Sequence, residues 1–102
     1  MMVKKQADTI RAVERYYGVQ FNDMKLKQCH AYPVSAARSM VMYLLRDFCE
    51  MKIKDISTMF DITERGVQYR LEQLKKDLKP KKRIFIDYCE IIRGLNQKYN
   101  VC

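Results

Sequence analysis

Apolar residues recur at helical spacing along most of this chain, and the clearest case lies within residues 52–76. The positions are Ile53, Ile56, Met59 and Phe60 before a turn, then Ile62, Val67, Leu71 and Leu74 after it. The pattern predicts two short amphipathic helices. Because neither can bury its apolar stripe alone, we expect them to cross and to pack on a third helix, as in a helix-turn-helix.

The turn between these two helices is predicted from its capping residues. Asp61 occupies the turn position, and Asp enters the left-handed backbone region more readily than most residues. Two caps are open for the second helix, because the side-chain oxygen of either Asp61 or Thr63 can accept from a free backbone N–H. The start of that helix is therefore defined to within a residue or two.

Two further helices and a short helical turn are predicted before this pair. Residues 5–17 form an amphipathic pattern that Gly18 can end in a left-handed conformation. A single turn carrying Met24 follows, with Asn22 as its expected cap. The strongest pattern covers residues 35–50, and we expect it to form the scaffold helix that supports the helix-turn-helix.

A last helix is predicted beyond Pro80, because proline disfavours a helical conformation in the residue before it. Residues 81–97 carry a long apolar stripe formed by Ile84, Phe85, Tyr88, Ile91, Ile92 and Leu95. The stripe is too rich to face water, so it is expected either to close the core or to form a dimer contact. We predict one domain, residues 1–102, with a helix-turn-helix core over 5–78 and this C-terminal helix over 81–98.

Composition favours helix throughout. A chain of 102 residues has room for one modest core, and three glycines and two prolines leave few tight loops. The expected fold class is therefore all-α, with a helix-turn-helix on a longer scaffold helix and five to six helices in total.

The charge favours a polyanionic partner. Twenty Lys and Arg against twelve Asp and Glu give a net charge of +8, which suits nucleic acid or an acidic membrane surface. The densest run is residues 75–83, with six cations and one carboxylate. It is interpreted either as a solvated helix end, where cations favourably meet the helix dipole, or as a phosphate contact.

Residue types that support catalysis or metal binding are sparse. The cysteines Cys29, Cys49, Cys89 and Cys102 form no CxxC pair, His30 is the single histidine, and the first ten residues contain no apolar run. We expect no zinc cluster, no secretory signal, free thiols and a cytoplasmic location. No Gly-rich phosphate loop, HExxH motif or activated nucleophile is evident, so no enzyme activity, cofactor or small-molecule substrate is expected.

Three segments agree in order and spacing with a known family. They read VERYYGVQFNDM, ARSMVMYLLRDF and KIKDISTMFDI, within residues 9–78. In these segments the chain resembles the C-terminal duplex-DNA-binding domain of the bacterial replication initiator DnaA, whose fold is shared with the tryptophan repressor. The resemblance implies a DNA-binding helix-turn-helix fold of the same kind.

The residues that read DNA in that family are mostly replaced here. Thr63, Glu64, Arg65 and Gly66 stand where the family has an Asp-His-Thr-Thr run. In the family's arginine-rich loop, Ala36 replaces the arginine sent into the minor groove, while Arg38 retains the second arginine. The resemblance therefore implies a stand-alone relative whose box specificity is altered or lost.

Candidate base-reading residues follow if the second helix of the pair enters the major groove, because its early turns then face the bases. They are Thr63, Glu64, Arg65, Gln68 and Tyr69. Arg65 suits guanine and Gln68 suits adenine, and a good pair of this kind contributes about 1–3 kcal/mol of discrimination. Glu64 has a second interpretation, as a capping or dipole residue.

Candidate phosphate contacts position the protein without reading sequence. They are Lys25, Lys27, Arg38, Lys54, Arg70 and Lys75. Lys54 opens its helix, where free backbone N–H groups can also hold a phosphate. For each lysine, simple solvation is the alternative.

Two functions remain open from the sequence. The first is a non-enzymatic protein that binds double-stranded DNA, either a transcription or replication regulator or a mobile-element factor. The second is a protein-interaction module that keeps the fold without the DNA use. A homodimer through residues 81–98 is compatible with both, because two reading heads on a two-fold axis double the contacted sequence.

Overall fold

The computed structural model describes residues 4–25, 32–80 and 82–99. These residues form six helices and no strand, which confirms the predicted all-α class. The helices are α1 Lys4–Tyr17, α2 Phe21–Met24, α3 Val34–Asp47, α4 Ile53–Phe60, α5 Glu64–Asp77 and α6 Arg83–Tyr99. None of the described helices is long and apolar enough to cross a membrane.

The scaffold helix α3 lies at the centre of the fold, packed against α1, α2, α4 and α5. Its fully buried apolar residues are Ala37, Met40, Val41, Met42, Leu44 and Leu45. Helix α3 ends at Asp47, earlier than predicted, and Glu50 has a φ of 57°. A left-handed residue cannot continue a right-handed helix, so the chain turns there towards α4.

Glu14 joins the first two helices. Helix α1 ends at Tyr17, and Gly18 adopts the predicted left-handed conformation with a φ of 68°. The prediction that Asn22 caps α2 is wrong, because Asn22 lies inside the helix. The N-cap residue is Gln20, and its side chain forms no capping hydrogen bond. Instead, the Phe21 backbone N–H donates to Glu14 Oε2 over 2.9 Å. A carboxylate of α1 thus satisfies a free N–H at the start of α2.

The last helix, α6, packs antiparallel on α1. Its residues Ile91 and Leu95 are buried in the core, and Ile84, Tyr88 and Ile92 pack against the same core while partly exposed. At the other end of the pair, Lys98 Nζ lies 3.2 Å from Asp8 Oδ1. The apolar stripe of α6 is thus largely covered within the chain.

One charged residue, Asp87, lies inside that stripe with only 1% of its surface exposed. Its Oδ1 accepts hydrogen bonds from the Tyr16 hydroxyl at 2.7 Å and from Arg83 Nε at 3.1 Å, and its Oδ2 accepts from the Tyr17 hydroxyl at 2.7 Å. Burial, followed by these hydrogen bonds, raises the pKa values of both tyrosines. The carboxylate therefore ties the first turns of α6 to the last turn of α1.

Candidate nucleic-acid interface

The turn between α4 and α5 has the predicted left-handed geometry. Asp61 has φ 55° and ψ 47°, and the backbone N–H of Ile62 donates to Ser57 O over 3.0 Å. Ser57 is buried, as expected for the point where two helices approach. Of the two open caps, Thr63 is the one used, because its Oγ1 accepts from the Gly66 N–H over 3.0 Å.

The cap also accounts for a glycine inside α5. A Cβ atom added at Gly66 would lie 3.2 Å from Thr63 Oγ1 and 3.7 Å from Ile62 Cδ1. The first distance is closer than ordinary van der Waals contact. The absence of a side chain at this position therefore leaves room for the capping hydroxyl at the start of α5.

Helix α5 is amphipathic and lies with its polar side outward. Val67, Leu71 and Leu74 are buried against the core, and α5 packs on both α3 and α4. The predicted base-reading residues Thr63, Glu64, Arg65, Gln68 and Tyr69 are all exposed. Tyr69 has 63% of its surface exposed. All five candidates therefore lie at the start of α5 or on its exposed side.

Glu64 occupies the first helical position of α5. An acidic side chain in a first turn favourably meets the positive end of the helix dipole, typically by 0.3–1 kcal/mol. This geometry fits the dipole interpretation of Glu64. The side chain is nevertheless exposed beside Arg65, so it also contributes a negative charge to the outward surface.

Three predicted phosphate contacts meet on the α2 side of α5. Lys25, Arg38 and Arg70 line one small cavity of about 230 Å³ together with Phe60 and Ile62. Lys25 is exposed, with its ammonium 5.8 Å from the centre of the Phe21 ring, and Arg70 is partly exposed. This flank of α5 is therefore basic.

Arg38 does not fit the predicted surface contact. Only 3% of its surface is exposed, and its Nε donates to the carbonyl oxygen of Met24. The reason is that α2 packs on α3 at this point and covers the guanidinium. Arg38 therefore links two helices within the fold instead of presenting its charge on an open surface.

Two further phosphate candidates lie on other parts of the helix-turn-helix. Lys54 is exposed in the first turn of α4, and Lys75 is exposed in the last turn of α5. The predicted contact Lys27 lies outside the described residues, as does His30. Neither Lys54 nor Lys75 lines the cavity that Lys25 and Arg70 share.

The opposite flank of α5 carries acidic residues from several elements. A groove of about 640 Å³ runs between the end of α3, the start of α4 and α5. Asp47, Glu50 and Glu72 line it, together with the cations Arg46 and Lys75. The spacing of residues did not predict this groove, because Glu72 is far from Asp47 and Glu50 in the chain and only the packing of α5 on α3 brings them together.

A short α4, a left-handed turn at Asp61 and an outward-facing α5 on the scaffold α3 define a helix-turn-helix domain. The sigma-70 region 4 family, whose domain is a DNA-binding helix-turn-helix, matches residues 37–78. The chain therefore contains a helix-turn-helix domain of the DNA-binding class. This match begins within α3 and continues to the end of α5, and it supports that class without singling out the replication initiator. No curated protein and no solved structure matches the chain.

Proposed function

We propose that this protein binds double-stranded DNA through α5 and regulates transcription in the cytoplasm, with no enzymatic activity, cofactor or small-molecule substrate. The observation that carries the proposal is the free polar side of α5, where Arg65, Gln68 and Tyr69 are all exposed. The similarity of residues 37–78 to sigma-70 region 4 supports a role in transcription over the other regulatory roles.

In this proposal the first turns of α5 lie in the major groove. Arg65 and Gln68 then read base edges, because a guanidinium and a carboxamide can each form two hydrogen bonds to one base. Tyr69 supplies an apolar ring for contact with a thymine methyl or sugar. Thr63 holds the helix start through its cap, and Glu64 accepts from a cytosine amine or balances Arg65.

The charges on the two flanks of α5 favour one orientation on the duplex. Lys25 and Arg70 face the nearer phosphate strand, because they share one surface beside α5. The carboxylates Asp47, Glu50 and Glu72 on the other flank repel phosphates, so the groove that they share with Gln68 and Lys75 lies farther from the backbone than the Lys25 flank does. Lys54 contributes a further phosphate contact from the start of α4.

A fluorescence titration with a mixed-sequence duplex at low and moderate salt tests this proposal. We expect binding at low salt that weakens steeply as salt is added, because phosphate contacts release counterions. The variant Arg65→Ala/Gln68→Ala should lose sequence preference. Arg93→Ala, which removes an exposed cation from α6, is the control. Absence of binding at low salt would remove the proposal.

The resemblance to the replication initiator leads to a prediction about which DNA sequence is bound. Selection from a random duplex pool tests it. Because Thr63, Glu64, Arg65 and Gly66 replace the family's reading run, we expect the selected sequences to differ from the initiator's box. Enrichment of the initiator's box would instead favour a role in replication.

A protein-interaction module is the second candidate, and the acidic groove beside α5 favours it. The apolar stripe of α6, which the sequence left open as a dimer contact, is largely covered within the chain. A homodimer through α6 would have to use the apolar surface of that helix that stays exposed. This surface includes Ile86, whose exposed fraction is 47%. Sedimentation equilibrium tests this: a monomer over a wide concentration range removes the dimer, and duplex binding by that monomer favours the first candidate.

A further inference from the structure

The chain that follows α5 carries the densest positive charge in the protein. Residues 75–83 hold six of the twenty Lys and Arg residues and one of the twelve Asp and Glu. We call Lys75, Lys76, Lys79, Lys82 and Arg83 the basic connection. All five side chains are exposed. Such a concentration of like charge at one place repels itself unless anions lie nearby.

The protein compensates these charges unevenly, because Lys75 lines the groove that also holds Asp47, Glu50 and Glu72. Among the described residues, Arg83 is the only member of the basic connection in an ion pair, with Asp87. The ordinary explanation, favourable contact with the end of a helix dipole, applies to Lys75 and Lys76 in the last turn of α5. It does not apply to Lys79 and Lys82, which lie beyond the helix end at Asp77.

Backbone hydrogen bonds hold Lys79 and Lys82, the two described lysines of this connection that lie outside the helices. The Lys79 N–H donates to Asp77 O over 2.8 Å, and the Lys82 N–H donates to Lys79 O over 2.8 Å. The first turns of α6 are held to α1 by buried Asp87. The backbone at Lys79 and at Lys82 is therefore held by hydrogen bonds, which lowers the backbone entropy lost when these residues bind a ligand.

The basic connection leads into α6, whose start lies beside the basic flank of α5. Ile84, at the start of α6, lines a groove of about 330 Å³ together with Tyr69 and Arg70 of α5 and Ser35 of α3. Tyr69 and Arg70 are also predicted DNA contacts. Asp77 lines the same groove, so the residues on both sides of Lys79 and Lys82 in the chain lie beside Tyr69 and Arg70.

The length of α5 bears on which part of the DNA its C-terminal end would contact. A helix of 14 residues is about 21 Å long at 1.5 Å per residue. The major groove is about 12 Å wide. If the axis of α5 is inclined across the groove, a helix of this length extends past it, and its last turn then lies beside a sugar-phosphate strand.

We propose that the basic connection is a second phosphate-binding surface, which contacts the DNA backbone beyond the end of α5. The inference rests on the proposed DNA binding and adds the basic connection to the DNA-binding site. Phosphate oxygens accept from the Lys79 and Lys82 ammonium groups. Such contacts strengthen binding to every sequence equally, because they do not touch base edges.

The test compares Lys79→Gln/Lys82→Gln with the control Arg11→Gln/Arg93→Gln. Both remove two positive charges from exposed positions, but the control residues lie on the α1–α6 pair. For each protein the binding constant for a duplex is measured across a range of salt concentrations. Each lost phosphate contact lowers the magnitude of the logarithmic salt slope by about 0.9.

We expect a fall of about 1–2 in that slope for Lys79→Gln/Lys82→Gln, no comparable fall for the control, and an unchanged ratio of affinities for preferred and random duplexes. An unchanged slope, or an equal fall in both variants, overturns the second surface while leaving DNA binding by α5 intact. Failure of the wild-type protein to bind any duplex at low salt overturns the proposed function and this inference together.

Discussion

Tyr17 and Asp87 lie 70 positions apart in the chain, yet the tyrosine hydroxyl donates to the carboxylate over 2.7 Å. Tyr16 and Arg83 donate to the other oxygen of the same carboxylate. Hydrogen bonds to a charged group contribute about 1.5–3 kcal/mol each, and a buried charge without such partners is strongly unfavourable. This cluster therefore makes the pairing of α1 with α6 specific.

Replacing the carboxylate should be costly. We expect Asp87→Ala to lower the free energy of unfolding by about 3 kcal/mol, because the buried Tyr17 hydroxyl loses its acceptor. Urea denaturation followed by circular dichroism measures the change. Asp77→Ala removes an exposed carboxylate and should change stability by less than about 0.5 kcal/mol. Equal effects of the two substitutions would show that the buried cluster is not stabilising.

The same cluster predicts a loss of stability at alkaline pH. The folded-state pKa of Tyr17 is raised above the value of about 10 expected in the unfolded chain. Its contribution is therefore complete below pH 10 and decreases as the pH rises above 10, because the unfolded chain releases the proton first. Tyr88 acts in the same direction, since burial raises its pKa to about 12.

Urea denaturation at pH 8, 10 and 11 checks this pH dependence. Lysine side chains also titrate in this range, so the comparison is with Tyr17→Phe, which retains them all. We expect the variant to be less stable than the wild type at pH 8, and the difference to shrink at pH 11. A difference that stays constant across the three pH values would contradict the predicted role of the hydroxyl proton.

The cap of α5 should matter for both stability and binding. Thr63→Ala removes the acceptor for the Gly66 N–H, which typically costs about 1 kcal/mol. The matched control is Thr58→Ala, because Thr58 lies inside α4 and alanine is the better helix former there. Thermal unfolding and duplex titration should both be impaired only by Thr63→Ala. A similar loss in the control would exclude capping as the cause.

Arg38 should prove structural. We expect Arg38→Met to lower the midpoint of thermal unfolding by several degrees. The substitution removes a buried hydrogen bond and leaves the Met24 carbonyl oxygen without this donor. The salt slope of DNA binding should remain that of the wild type. A reduced slope with unchanged stability would instead restore the phosphate contact predicted from the sequence.

The sequence by itself determined the helices and the corner of the fold. Apolar spacing reports which side of a helix is buried, so it located α1, α3, α4, α5 and α6 to within a few residues. Local chemistry also sufficed at Asp61 and Gly18, because a left-handed backbone depends on the residue itself. The outward position of the α5 candidates followed from the same periodicity.

Only the tertiary structure decided which polar groups meet. The spacing of α6 placed Asp87 among apolar residues, but the partners that make its burial tolerable belong to α1. The charge of Arg38 suggested a surface contact, yet the packing of α2 on α3 covers it. The acidic groove likewise combines three helical regions. Pairings of this kind depend on how helices are arranged in space, and one-dimensional spacing does not contain that arrangement.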